Sequence, residues 1–256
     1  MVRRSSDDAG IRARDLSIAR GSDVGRVVEG VTIDLPRGAA LAVMGPTGSG
    51  KSSLAGILAG ADDDSLSVVG GEAWVDGLPV RKGGRTLRVR RYVTGFLAQG
   101  AGASLPPRLT VSEIISEPIT SRDHRVNARA LAVRVASLLD ELELALGSAT
   151  KYPYELSAGM RQRVALARAL VLDPRVFVGD EPYANLDVEV RQAARRALQR
   201  RQAEHGMSLL IVTNEVDAVR ELRAGALVLR SGHPVAYGPE VDDLLWTPDG
   251  ASRGVS

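Results

Sequence analysis

The sequence predicts an α/β fold: a mostly parallel sheet covered by helices on both faces. Three observations carry this. AALAVMG (39–45), RVFVGDEP (175–182) and LLIVTNE (209–215) are short, continuous apolar runs, as strands buried on both faces require. Helical periodicity fills the segments between them. The first apolar run feeds a glycine-rich loop that opens a helix, a strand–loop–helix unit.

Taken in order, residues 1–10 read as a disordered lead-in. RARDLSIAR (12–20) and GVTIDLPRG (30–38) alternate apolar and polar residues, as half-buried strands do. SLAGILAG (53–60) has helical spacing after the buried strand 39–45. GGEAWVDGLPV (70–80) reads as a hairpin closed by Asp-Gly, and RYVTGFLAQ (91–99) as a strand. From about Ser112 to Leu146 the pattern is helical, clearest in RALAVRVASLLDELEL (129–144). SAGMRQRVALARALV (157–171) and VEVRQAARRALQRRQAEHG (188–206) are further helices. GALVLRSGHPVAYG (225–238) is a closing hairpin, and the tail 241–256 is expected to be loose. No internal repeat or low-complexity segment interrupts this order.

Composition narrows the function classes. The chain has 256 residues, 44% hydrophobic and 25% charged, enough for one large α/β domain. Its net charge of +2 argues against a general polyanion binder. Lysine occurs only at Lys51, Lys82 and Lys151, and arginine supplies the other 30 basic residues. A lysine that survives such a bias is a candidate for chemistry. The absence of cysteine excludes disulfides, thiolate metal sites and cysteine nucleophiles. MVRRSSDDAG lacks the apolar core of a signal peptide. No apolar run approaches the roughly 18 residues of a membrane span. A soluble, cytoplasmic chain is expected, reaching a membrane only through partners. The arginine-rich helix 188–206 spreads its charge around its circumference among acids and lacks an aromatic platform, so no nucleic-acid partner is expected.

Gly45-Pro46-Thr47-Gly48-Ser49-Gly50-Lys51-Ser52 fits G-x-x-x-x-G-K-[ST], between a buried strand and a helix. Its glycines let backbone N–H groups curl around an anion, and the helix start adds its positive end. Lys51 supplies a point charge for β- and γ-phosphates, and the Ser52 hydroxyl can ligate magnesium. Asp180 ends a buried strand, where a carboxylate can hold magnesium through its hydration shell. Glu181 follows directly and can polarise a water. Ser157 is an expected helix N-cap, a second anion site made by its hydroxyl and the Gly159 N–H. Asn214 stands just beyond the strand 209–212, where open α/β sheets bind ligands.

With these residues the chain resembles the nucleotide-binding subunits of ABC transporters over nearly its whole length. Residues 45–52 match the P-loop, Gln99 the Q-loop, Leu156-Ser157-Ala158-Gly159-Met160 the signature and 176–181 the Walker B strand. Asn185-Leu186-Asp187 matches the D-loop, and Asn214 stands in the H-loop. LAQGAGASLPPRLTVSEIISEP (97–118) and YPYELSAGMRQR (152–163) look most like the peptide and nickel importer branch.

The resemblance implies one ABC ATPase domain over 1–256. Its α/β core, with an antiparallel β portion, spans about 11–100 and 156–240, and its helical subdomain about 101–155. The implied ligands are ATP and Mg2+. Gly45 to Ser53 would hold the nucleotide, with Ser52, Gln99 and Asp180 at the metal and Glu181, Gln99 and Asn214 at the reacting phosphate. Ser157 and Gly159 would complete the site of a second ATPase subunit, an unlike chain, in an ATP-sandwich dimer. Two integral membrane permease subunits and, indirectly, a solute-binding protein would complete an importer at the cytoplasmic face of the membrane. A soluble ATPase accessory to an enzyme complex of the carbon–phosphorus lyase type, a non-hydrolysing subunit and an efflux ATPase are the alternatives. The chain departs from the family at Asn214, where histidine is usual, and at Ala19 and Arg20, where an aromatic ring usually stacks on adenine. The Arg20 guanidinium could stack instead.

Overall fold

The computed structural model describes residues 9–21, 24–123, 125–184 and 186–246. The lead-in before Ala9, Asn185 of the expected D-loop, and residues 247–256 of the expected loose tail lie outside the described residues.

Strands β1 (Ala9–Arg20) and β2 (Val24–Pro36) form an antiparallel pair. β3 (Ala40–Met44) leads through the glycine loop into α1 (Lys51–Ala59). β4 (Leu66–Val75) and β5 (Leu78–Pro79) form the expected hairpin, and Asp76 (φ 48°) and Gly77 (φ 75°) supply the two left-handed residues of its turn. Next come α2 (Gly84–Val93), β6 (Thr94–Leu97), α3 (Val111–Thr120), α4 (Ala128–Glu141) and α5 (Ala158–Leu170). β7 (Val176–Asp180), α6 (Val188–His205), β8 (Ser208–Val212), α7 (Val216–Glu221), β9 (Gly225–Arg230), β10 (His233–Gly238) and β11 (Leu245–Trp246) follow.

Two sheets result. A four-stranded antiparallel sheet has the order β2-β1-β4-β5, and a seven-stranded sheet the order β11-β10-β9-β3-β8-β7-β6. The five strands from β9 to β6 pair in parallel; β10 and β11 extend that sheet antiparallel. The pleat explains the continuous apolar runs. In β8, Leu210 and Val212 enter a core shared with α1 and the antiparallel sheet, while Leu209 and Ile211 enter a second core shared with α3 to α6. Helices α3 and α4 pack into that second core beside α5. A capping box between Thr110 and Glu113 starts α3, and left-handed glycines end α1 (Gly60) and α6 (Gly206).

Three expectations needed correction. Residues 91–93 are not strand: α2, which the sequence reading missed, runs to Val93. Tertiary bonds hold it there. Arg90 is buried and donates to the Val80 carbonyl at 2.7 Å, and Arg91 donates to the Gly60 carbonyl at 2.6 Å. Burial drives the Arg90 pKa down to about 10. Ala9 and Gly10 belong to β1, paired to Pro36 and its neighbours, rather than to a loose lead-in. The tail is ordered as far as β11, where Tyr237 and Ala236 pair with Leu245 and Trp246.

Asp76 ties the hairpin turn to the rest of the molecule. Its carboxylate is 4% exposed and pairs with Arg37 and, at 3.0 Å, with Arg175 just before β7. Asp76→Asn keeps a residue tolerant of the left-handed turn and removes only the charge. It is expected to cost about 2 kcal/mol of stability, less than a fully buried pair because both arginines still reach water. Chemical denaturation checks this, and an unchanged midpoint at unchanged slope contradicts it.

Candidate functional site

The strand order β3-β8-β7-β6 brings four chain segments to one edge of the sheet, and register sets them level. Val43 and Asp180 both pair with Val212, and Leu97 pairs with Gly179. Beyond that edge lie, in spatial order, the glycine loop, Asn214, the Asp180–Glu181 pair and Gln99. This is the crevice at the carboxyl ends of parallel strands where ligands bind.

The loop is a cradle with no room for a side chain at Gly45 or Gly50. Gly45, Gly48 and Gly50 have φ of 137°, 80° and 96°. A Cβ on Gly45 would lie 2.1 Å from the Leu229 carbonyl, and one on Gly50 would lie 2.4 Å from the Val27 carbonyl. Pro46, Thr47 and Gly48 face solvent. Lys51, 9% exposed, folds back and donates to the carbonyls of Gly45 and Pro46, both at 2.8 Å. Its ammonium is thereby fixed at the loop mouth, beside the unpaired N–H groups of the first turn of α1. The Ser49 side chain is buried and its hydroxyl lacks a partner among the described residues. Its carbonyl accepts from Gly232, fastening the loop to the β9–β10 turn.

The Ser52 hydroxyl and the Lys51 ammonium both lie close enough to act on the Asp180 carboxylate. Burial nevertheless raises the Asp180 pKa, with Glu181 adding repulsion, while Ser52 and Lys51 oppose the shift. A hydroxyl and a desolvated carboxylate side by side are hard oxygen donors suited to Mg2+. The loop and this pair therefore fit a magnesium–triphosphate group.

Glu181 holds a left-handed backbone (φ 51°), costly for a non-glycine residue; its N–H donates to the Val212 carbonyl at 3.0 Å. That kink turns the chain out of β7, which ends at Asp180. The Asn214 Oδ1 accepts from the Gly45 N–H at 2.9 Å, joining β8 to the glycine loop. Gln99 is exposed two residues beyond β6 and makes no hydrogen bond among the described residues.

The remaining expected contacts stand apart. Ser157 caps α5, accepting from Met160 N–H at 3.2 Å. No hydrogen bond or ion pair among the described residues joins Ser157 or Gly159 to the glycine loop, Asp180, Glu181 or Asn214. Arg20, at the end of β1, donates to Ser65 Oγ at 3.1 Å and to Ser53 Oγ at 3.5 Å, with Asp63 at 3.5 Å. These bonds occupy the edge of its guanidinium and leave its faces for stacking. Sequence reading missed Gln162. Its amide sits on the otherwise buried face of α5 with Ala165 and Leu166, and that polar residue at apolar spacing was the available signal.

A glycine cradle at a helix start, a lysine at its mouth and acids on the neighbouring strand end define a P-loop nucleotide-binding domain. The chain belongs to the ABC transporter family, whose profile matches residues 28–184. It is 32% identical over 226 residues to the oligopeptide transport ATP-binding protein OppF of Escherichia coli (strain K12), covering 87% of this chain and 66% of that one. It is 34% identical over 229 residues to the oligopeptide transport ATP-binding protein OppD of Mycobacterium tuberculosis (strain ATCC 25618 / H37Rv), covering 88% of this chain and 36% of that one. The chain thus spans less than two thirds of the length of these relatives. Among solved structures, the dimeric cassette MJ0796 bound to ADP and Pi superposes with a TM-score of 0.80 at 24% identity, over 89% of this chain and 97% of that one. This last likeness shows the fold.

Proposed function

We propose that the chain is the ATP-binding and ATP-hydrolysing subunit of an ABC importer for peptides, nickel or a metal chelate. It works as one half of an ATP-sandwich dimer with a second, unlike ATPase, and docks on two membrane permeases fed by a solute-binding protein. The observation that carries this is the convergence of Lys51, Ser52, Asp180, Glu181 and Asn214 at one sheet edge. The names of the oligopeptide relatives support the cargo class.

Lys51 and the first-turn amides of α1 bind the phosphates. Ser52 and Asp180, with Gln99, would hold the magnesium, which neutralises charge on the phosphoryl oxygens. Glu181 takes the proton of the attacking water. Ser157 and Gly159, which share no hydrogen bond or ion pair with this chain's own loop among the described residues, would cap the nucleotide bound by the partner ATPase.

The departure at Asn214 tunes this site. Its Oδ1 is engaged by Gly45, leaving the two Nδ2 hydrogens to donate toward a phosphate oxygen. The amide cannot become a cation, so it stabilises developing phosphate charge less than an imidazolium would. The site on this chain's own loop is therefore the slow one of an asymmetric pair. In the complex assembled with its partner subunits, Asn214→His is expected to raise the ATPase rate by about 10- to 100-fold. Steady-state phosphate release measures it; an unchanged rate removes the slow-site reading. Copurification with integral membrane subunits tests the transport assignment.

A further inference from the structure

Gln162 is 4% exposed, on the first turns of α5, five residues after the Ser157 cap. Its carboxamide spans two loops that are far apart in sequence. The Oε1 accepts from the Gly102 N–H at 3.2 Å, and the Nε2 donates to the Pro182 carbonyl at 3.4 Å. A backbone N–H can only donate and a prolyl carbonyl can only accept, so the amide has one orientation that satisfies both. A carboxylate would satisfy the first partner and repel the second. An apolar side chain would leave both unbonded in a buried place.

Each partner sits beside a residue of the candidate site. Gly102 follows the turn closed by the bond from Ala101 N–H to the Ala98 carbonyl, which contains Gln99. Gly102 is also pressed onto α5: a Cβ there would lie 2.7 Å from the Gln162 backbone nitrogen. Pro182 follows Glu181, whose own carbonyl is held in a turn by the Ala184 N–H. Both loops are compact, so fixing Gly102 and Pro182 constrains Gln99 and the left-handed Glu181.

We propose that Gln162 is a positioning residue for hydrolysis: it locks the Gln99 loop and the Glu181 turn to the helix that carries the signature cap. Movement of that helix relative to the site is thereby transmitted to the metal-sensing glutamine and the general base together. This deepens the ATPase reading above and rests on it.

The test compares Gln162→Met and Gln162→Glu in the full chain. Hydrogen exchange of the peptide containing Gly102, MgATP affinity and melting temperature are measured on the purified protein, and kcat and KM in the assembled complex. Gln162→Met removes both bonds. It is expected to speed Gly102 exchange, leave MgATP affinity and KM within about twofold, and lower kcat by about 10-fold, as a small misplacement of catalytic groups does. Gln162→Glu retains the bond from Gly102 and loses the one to Pro182, so it is expected to keep Gly102 protected and still lower kcat. If both variants hold kcat at the parent value, or if kcat falls only in step with MgATP affinity, the positioning role is overturned. Should Gln162→Met fail to fold, Gln162→Glu carries the test alone through its kcat-against-KM split. Unchanged Gly102 exchange in a folded Gln162→Met overturns the bridge itself. A parent protein without ATPase activity refutes the functional reading instead, and the exchange result still judges the bridge.

Discussion

Glu181→Gln is expected to lower ATP hydrolysis by about 10³-fold while nucleotide binding persists. The amide matches the carboxylate in shape, so the left-handed turn and the bond from its N–H to the Val212 carbonyl survive. It cannot take a proton from water. The substitution also removes a negative neighbour that pushes the Asp180 pKa up, so Asp180 ionises more readily. Bound MgATP is therefore expected to be held at least as tightly as in the parent. Single-turnover measurements in the assembled complex separate the two effects: a hydrolysis rate within tenfold of the parent shows that Glu181 is not the base.

Lys51→Ala acts one step earlier. The Lys51 ammonium, clamped between two loop carbonyls at 2.8 Å, is pre-positioned at the loop mouth and loses little freedom when phosphates arrive. A charge-assisted bond of this kind contributes about 3 kcal/mol, so its loss weakens MgATP binding on the order of 100-fold. Pro46 faces solvent and can hydrate its freed carbonyl, so the fold is expected to persist. Calorimetric titration checks this, and an affinity within a few-fold of the parent refutes the phosphate cradle. The two variants are complementary: one binds without hydrolysing, the other fails to bind.

Much of this arrangement is legible locally. The continuous apolar runs mark β3, β7 and β8 because parallel strands bury both faces. The glycine spacing marks the loop because only glycine accepts its φ values without a clash. Ser157 and the Asp76-Gly77 turn were readable for the same reason: capping and left-handed turns are properties of a few adjacent residues. Helix α2 was not legible. Its first seven residues carry three arginines, and the burial of Arg90 rests on the Pro79 and Val80 carbonyls at the end of β5, a contact that no periodicity within α2 announces.

By itself the sequence determined the strand–loop–helix that cradles phosphates, the acids at the end of β7 and the cap of α5. Periodicity, glycine φ and capping need only neighbours along the chain. The tertiary structure alone decided that Asn214 closes onto Gly45, 169 residues away, that Asp76 gathers two arginines, and that Gln162 bridges Gly102 to Pro182. The first pairing follows from the order β3-β8, and the others from how the antiparallel sheet and α5 sit against that sheet, because side chains distant in sequence become partners only after tertiary packing has set their places.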